Sequence, residues 1–281
     1  MMRTLLLAGL ALALAGCTQR ADVARRAGSP EAKKGLSART AAARINPAVV
    51  LDADPDWKEA NTEIYREQGT LDVLESRLAG TGLERFVLRR GAGDARRVAL
   101  TFDDGPHPAY SPQLLDMLKA KNVKATFFVI GHMADKYPDL VKRMADEGHE
   151  VANHTYSHVT LTKIPAEEID VEYQANNDAI RRITGKPVRY CRPPGGDHNA
   201  EVLRRAGSLG LTTVLWTDDP GDYLNPGDGV LFGRETKALN PGGIILLHDG
   251  SKDTLDTLEK FIDATRAKGY EFVSLDALRR T

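Results

Sequence analysis

A chain of 281 residues, 42% apolar and 27% charged, can build one large globular domain or two small ones. A formal net charge of −1 provides no basic field to gather a polyanion, so no nucleic-acid partner is expected. Of its two cysteines, Cys17 lies in the N-terminal leader, so Cys191 has no intrachain disulfide partner and reads as a small strand hydrophobe.

At the N-terminus, Arg3 precedes an apolar run at 5–15, too short to cross a bilayer, which takes ~20 residues. The run ends in Leu14-Ala15-Gly16-Cys17, small residues directly before a cysteine. This is similar to a bacterial lipoprotein signal. It implies removal of residues 1–16 and a lipid on Cys17 that holds an exported protein to a membrane of the cell envelope. An ordinary signal peptide with a chance cysteine is the alternative. Thr18 after the cysteine, rather than Asp, favours the outer membrane if the cell is Gram-negative.

Residues 17–55 read as a flexible tether, because the stretch from Thr18 to Arg44 holds only Val23 and Leu36 as large apolar side chains. Seven basic residues (Arg20, Arg25, Arg26, Lys33, Lys34, Arg39 and Arg44) are expected to be solvated rather than bound to an anionic surface. A helical lead-in follows over 56–94. In it Trp57, Ile64, Leu71, Leu74 and Leu78 recur at roughly helical spacing across 57–78.

Residues 95–281 form the expected catalytic domain. Short apolar runs at 98–102, 125–130, 150–153, 188–191, 212–216, 243–247 and 271–275 read as strands. Helical stretches lie between them at 112–121, 133–147, 166–184, 201–207, near 233–239, and at 254–268. Apolar strands joined by helices mean a parallel sheet covered by helices. About seven such units predict an α/β fold, a distorted (β/α) barrel, with a doubly wound sheet as the alternative. Polar residues then collect at strand ends: Asp103 and Asp104, His154, Arg192, Asp219 and Asp222, and His248. In a β/α barrel those ends open on one face, where active sites are assembled.

The residue types specify a chemistry. One carboxylate of the Asp103-Asp104 pair with His154 and His158 makes a three-ligand divalent-metal site with an open position, and the other carboxylate is free to act as a base. An i, i+4 histidine pair points to one side if its segment is helical. Zinc suits the mixed nitrogen and oxygen set, and cobalt or nickel are substitutes.

Five stretches, Thr101–Pro106, His154–His158, 192–196, Asp219–Tyr223 and 246–248, resemble in order the motifs of polysaccharide deacetylases, carbohydrate esterase family four, with its NodB homology domain. The resemblance implies a distorted barrel of seven or eight strands and metal-dependent removal of acetyl groups from N-acetylglucosamine polymers. It assigns Asp104, His154 and His158 as metal ligands, Asp103 as catalytic base and Arg192 as the residue that orients it. His248 becomes the acid that protonates the departing amine, tuned by Asp222, with Asp219 second in line for that role. The Gly195 N–H would bind the oxyanion, and Tyr223 and Leu246 would line the substrate site. Gly195 stands where the family commonly has Tyr, and Tyr223 where Trp is common; both changes bear on substrate fit. His107 and His198 flank motifs and are candidate substrate contacts.

The expected reaction is removal of N-acetyl groups from a glycan of the bacterial envelope or exterior, by a monomer. Peptidoglycan, an exported poly-N-acetylglucosamine and chitin fragments remain open as substrates. The alternatives are an O-acetyl esterase acting on an acetylated glycan, and a non-catalytic glycan-binding lipoprotein that has kept the fold.

Overall fold

The computed structural model describes residues 71, 73, 76–93 and 95–279. The expected signal segment, the tether and most of the helix at 57–78 lie outside these residues, although 71, 73 and 76–78 are helical. In chain order the described elements begin with β1 (Val87–Leu88), β2 (Arg97–Gly105), α1 (Tyr110–Ala120), β3 (Thr126–Val129), α2 (Gly131–Lys136) and α3 (Pro138–Asp146). Next come β4 (Glu150–Asn153), α4 (Ala166–Thr184), β5 (Tyr190–Cys191), α5 (Ala200–Ser208) and β6 (Thr212–Val214). The chain ends with α6 (Asp228–Ala238), β7 (Gly243–His248), α7 (Lys252–Ala267), β8 (Glu271–Phe272) and α8 (Leu275–Arg279).

All strand pairs are parallel, in the order β1-β6-β5-β4-β3-β2-β7, with β8 paired to the foot of β2. The ring is distorted where β6 ends. β1 pairs along β6, but the chain just beyond it, at Thr217 and Asp218, bonds to β7 through Thr217 N to Ile244 O (3.0 Å) and Leu246 N to Asp218 O (2.9 Å). The expected distorted (β/α) barrel of about seven parallel strands is therefore the observed architecture.

The period-two alternation of a strand explains the two cores. Val98, Leu100 and Phe102 of β2, with Ile245 and Leu247 of β7, face outward and pack under the helices against Leu114, Leu118, Met144 and Phe261. Ala99 of β2 with Ile244 and Leu246 of β7 face the barrel interior, against Phe128, Val214 and Trp216. Thr101 and Asp103 continue the inward row of β2, and His248 continues that of β7.

Three expectations about elements need correction. The helix at 133–147 is two helices, because Pro138 starts α3 and forces Tyr137 out of helical geometry (φ −126°, ψ 57°). The last strand covers only Glu271–Phe272, since α8 starts at Leu275. The two-residue strand β1 was not foreseen.

Leu246 is fully buried in the interior core and sits across from Thr101 on β2, one pleat below Asp103 and His248. Leu246→Ala should cost about 2–5 kcal/mol of folding stability, read from the shift in urea midpoint at unchanged slope.

Candidate active site

Asp103 is the inward residue at the end of β2 and is in register with His248 on β7. Regular alternation would send the next side chain, Asp104, to the opposite face. Instead the β2–β3 register shifts between Phe102 and Gly105, and Asp104 takes a left-handed φ of 70°. A bulge of this kind re-aims a side chain, and here it brings both carboxylates to the barrel mouth.

His154 follows β4 directly. Its Nε2 lies 3.2 Å from Asp104 Oδ1, and His158 Nε2 lies 3.1 Å from the same oxygen. One potential ligand atom from each of the three residues falls within 4.8 Å of the others. The histidines do not sit on a helix. Thr155 and His158 have positive φ (65° and 57°), and the loop itself folds the two rings together at a centroid distance of 5.0 Å. The condition of a helical segment is not met, and the rings converge through the loop instead.

This donor set fits a divalent cation. His154 Nδ1 is 2.7 Å from the Arg192 carbonyl, which can only accept, so that nitrogen carries the proton. In the neutral ring, Nε2 then presents its lone pair to the carboxylate, two electron-rich atoms in a buried place, and a cation between them removes the opposition. Where protons on the rings take the place of the cation, burial works against charge on Asp104, but His158 and His154, with His248 farther off, outweigh it and hold the carboxyl well below the usual carboxylate range.

Arg192 is fully buried. Its Nη1 donates to Asp103 Oδ1 (2.6 Å) and Thr101 Oγ1 (3.0 Å), and its Nε donates to Val214 O (3.1 Å). The guanidinium also lies over the Phe128 ring, 4.1 Å from the centroid. Asp103 is thereby fixed in one rotamer, its second oxygen 3.8 Å from His154 Nε2.

On the other flank, Asp222 grips His248 twice. Oδ1 is 2.6 Å from the ring Nδ1, and Oδ2 accepts from the His248 backbone N–H at 2.7 Å. Thr254 Oγ1 donates to Oδ2 as well, at 2.6 Å. Asp219 does not take this place; burial raises it to about 6, against the lowering pull of His248. The Tyr223 ring stands edge-on to His248 at 5.5 Å. Gly195 is buried in the turn Pro194–Gly196 with φ 58°.

The flanking histidines are internal. His107 Nδ1 accepts from Ala109 N and Tyr110 N at the start of α1, and His198 Nδ1 meets Gly196 O at 2.8 Å. Sequence reasoning missed Asp249, which is fully buried beside His248. It accepts from Ser111 Oγ (2.5 Å), and burial raises it to about 7, against the lowering hydrogen bonds of Ser111 and the His107 backbone. Its signal was a second polar residue after a wholly apolar strand. A cavity of about 300 Å³ lined by His149, Glu150, Lys186 and Arg189 lies at the opposite ends of β4 and β5 and holds none of the predicted site residues.

Burial disfavours charge on His248, but Asp222, then Asp104 and Asp103, outweigh it and push the imidazole up to about 10. A folded-state value above the unfolded one of about 6.5 gives stability that is complete below pH 6.5 and lost as pH rises through about 10. Metal-free protein should therefore lose thermal stability across that window, and Asp222→Asn should flatten the profile in a melting series.

Residues 90–214 match the polysaccharide deacetylase family model. The chain is 36% identical over 213 residues to a peptidoglycan-N-acetylglucosamine deacetylase of Bacillus cereus, covering 74% of this chain and 98% of the relative. It is 38% identical over 211 residues to a chitooligosaccharide deacetylase of Bradyrhizobium sp., covering 69% and 96%. A solved structure of similar fold, TM-score 0.66 and 31% identity over 68% of each chain, is a CE4 family pseudoenzyme from Bacillus anthracis. Since the fold alone occurs with and without activity, the residues at the barrel mouth carry the distinction. With its motifs in order and a near full-length relative, this chain belongs to the polysaccharide deacetylase family.

Proposed function

We propose that this protein removes N-acetyl groups from a polysaccharide containing N-acetylglucosamine, at the bacterial envelope or exterior, using zinc held by Asp104, His154 and His158. The observation that carries the reading is the meeting of that ligand set with Asp103 on one side and His248 on the other, all at one barrel mouth. The two relatives named for peptidoglycan N-acetylglucosamine and for chitooligosaccharides support N-acetylglucosamine as the unit recognised. The Leu14-Ala15-Gly16-Cys17 stretch supports export and a lipid on Cys17, which favours a substrate near the membrane.

A divalent cation in this site supplies the Lewis acidity that makes water a nucleophile near neutral pH. Asp103, held by Arg192, takes a proton from the attacking water as its oxygen bonds to the acetamide carbon. The Gly195 N–H faces the negative charge that builds on the former carbonyl oxygen. His248, kept protonated by Asp222, gives its proton to the nitrogen, the carbon–nitrogen bond breaks, and acetate and an amino sugar leave. The edge-on ring of Tyr223 walls the acid side and contacts the sugar.

Acetate release should be measured on peptidoglycan, poly-N-acetylglucosamine and chitin oligosaccharides, with and without chelator. Release from at least one polymer, abolished by chelator and restored by zinc, is the expected result; no release from any would refute the reading. Asp103→Asn should abolish turnover while zinc stays bound in a direct titration. His248→Ala should slow amide hydrolysis by about 10²–10⁴-fold. Nearly full activity of that variant on acetate esters would redirect the assignment to an O-acetyl esterase.

A further inference from the structure

The loop that carries His154 and His158 has no regular structure of its own, and from Thr155 to Ser157 its backbone is tied to neighbouring elements. One oxygen of Glu172, on α4, accepts from both Tyr156 N (2.9 Å) and Ser157 N (2.8 Å). One turn farther along α4, the fully buried Asn176 donates through Nδ2 to Thr155 O (2.8 Å), Val129 O (2.8 Å) and Asn153 Oδ1 (3.2 Å). Asn153 Oδ1 in turn accepts from Thr155 N at 2.8 Å. The start of α2 completes the set, with Gly131 N donating to Thr155 O and His132 N to Tyr156 O, both at 3.0 Å.

Residues 172 and 176 are four apart on one helix and so share a face. That face is turned to the histidine loop, not to solvent. The loop needs support because Thr155 and His158 hold left-handed backbone angles that residues with a Cβ disfavour. Released from α4, these two residues would relax toward right-handed conformations, and the imidazoles would separate. The cation would then have to order the loop as it binds.

We propose that Glu172 and Asn176 are positioning residues that pre-set the His154–His158 pair for metal. The role rests on the metal site advanced above and extends it to side chains that touch neither metal nor substrate. Glu172 acts as a paired hydrogen-bond acceptor, and its charge is incidental. Glutamine keeps a carbonyl oxygen at the same reach, so Glu172→Gln separates geometry from electrostatics.

The test is a zinc titration of the chelator-stripped full chain against a chromophoric competitor, with melting of the metal-free protein alongside. Wild type should bind tightly. Glu172→Ala and Asn176→Ala should bind about 10–100-fold more weakly. Glu172→Gln should stay within about threefold of wild type, far inside the loss expected when such an outer support is removed. Equal zinc affinity in Glu172→Ala and wild type, with only a lowered metal-free melting temperature, would reduce Glu172 to a fold-stabilising residue and overturn the proposal. Equal losses in Glu172→Gln and Glu172→Ala would also overturn it, by assigning the effect to charge. A folded wild type that takes up no zinc would defeat the deacetylase reading itself, whereas tight wild-type binding with unmoved variants defeats this inference alone.

Discussion

A β-strand sends successive side chains to opposite faces, yet two consecutive carboxylates of β2 serve one cavity. The conflict is resolved by a single backbone irregularity, the register shift after Phe102 with Asp104 in a left-handed conformation. Without it Asp103 would face the barrel mouth alone and Asp104 would lie among the apolar side chains under the helices. The other site residues are arranged around the position this irregularity creates: His154 and His158 converge on Asp104 Oδ1, and Arg192 holds Asp103 apart from it.

That arrangement crowds charge into a place with little water. Asp103, Asp104, Asp222, Arg192 and His248 are all nearly inaccessible. Buried ions persist only when paired and hydrogen-bonded, and each here has its counterpart. Arg192 answers Asp103 and stacks on Phe128, which suits a weakly hydrated planar cation better than it would suit lysine. Asp222 spends both oxygens on His248 and takes a third bond from Thr254, so the imidazole can neither rotate nor exchange its Nδ1 partner. A divalent cation at Asp104 would weaken the pull that Asp104 and Asp103 exert on His248 and so lower the pH at which its imidazole loses its proton.

The apolar runs that became β2, β3, β4 and β7 were legible because buried parallel strands are apolar throughout, and the polar residues that end them stand out for the same reason. The strand β1 was not legible, since two residues carry no periodicity. The histidine pair was legible as a pair but its backbone was not, because spacing fixes which residues can meet and not the backbone path that makes them meet. Glu172 and Asn176 gave no signal at all. Polar residues on a helix look like a solvated face until the structure shows what the face meets. Asp249 was obscured by its neighbour His248, which absorbed the meaning of that strand end.

The two halves of the site are held by different means, and the difference follows from where the chain places them. Asp103 and His248 are register partners in adjacent strands, the last of six consecutive pairs that begin at Val98 and Gly243. A slip of β7 by one residue along that seam would turn His248 away from the mouth together with the whole inward row of β7, including Leu246. The apolar core therefore sets which way Asp103 and His248 point, and Arg192 and Asp222 fix their side chains within that frame. His158 lies beyond the sheet in a loop that no ladder holds, so the order there has to come from side-chain bonds to α4 and backbone bonds to α2. Asp103 and His248 inherit their positions from the strand register, Asp104 owes its own to the bulge of β2, and the loop from Thr155 to Ser157 is held by α4 and α2.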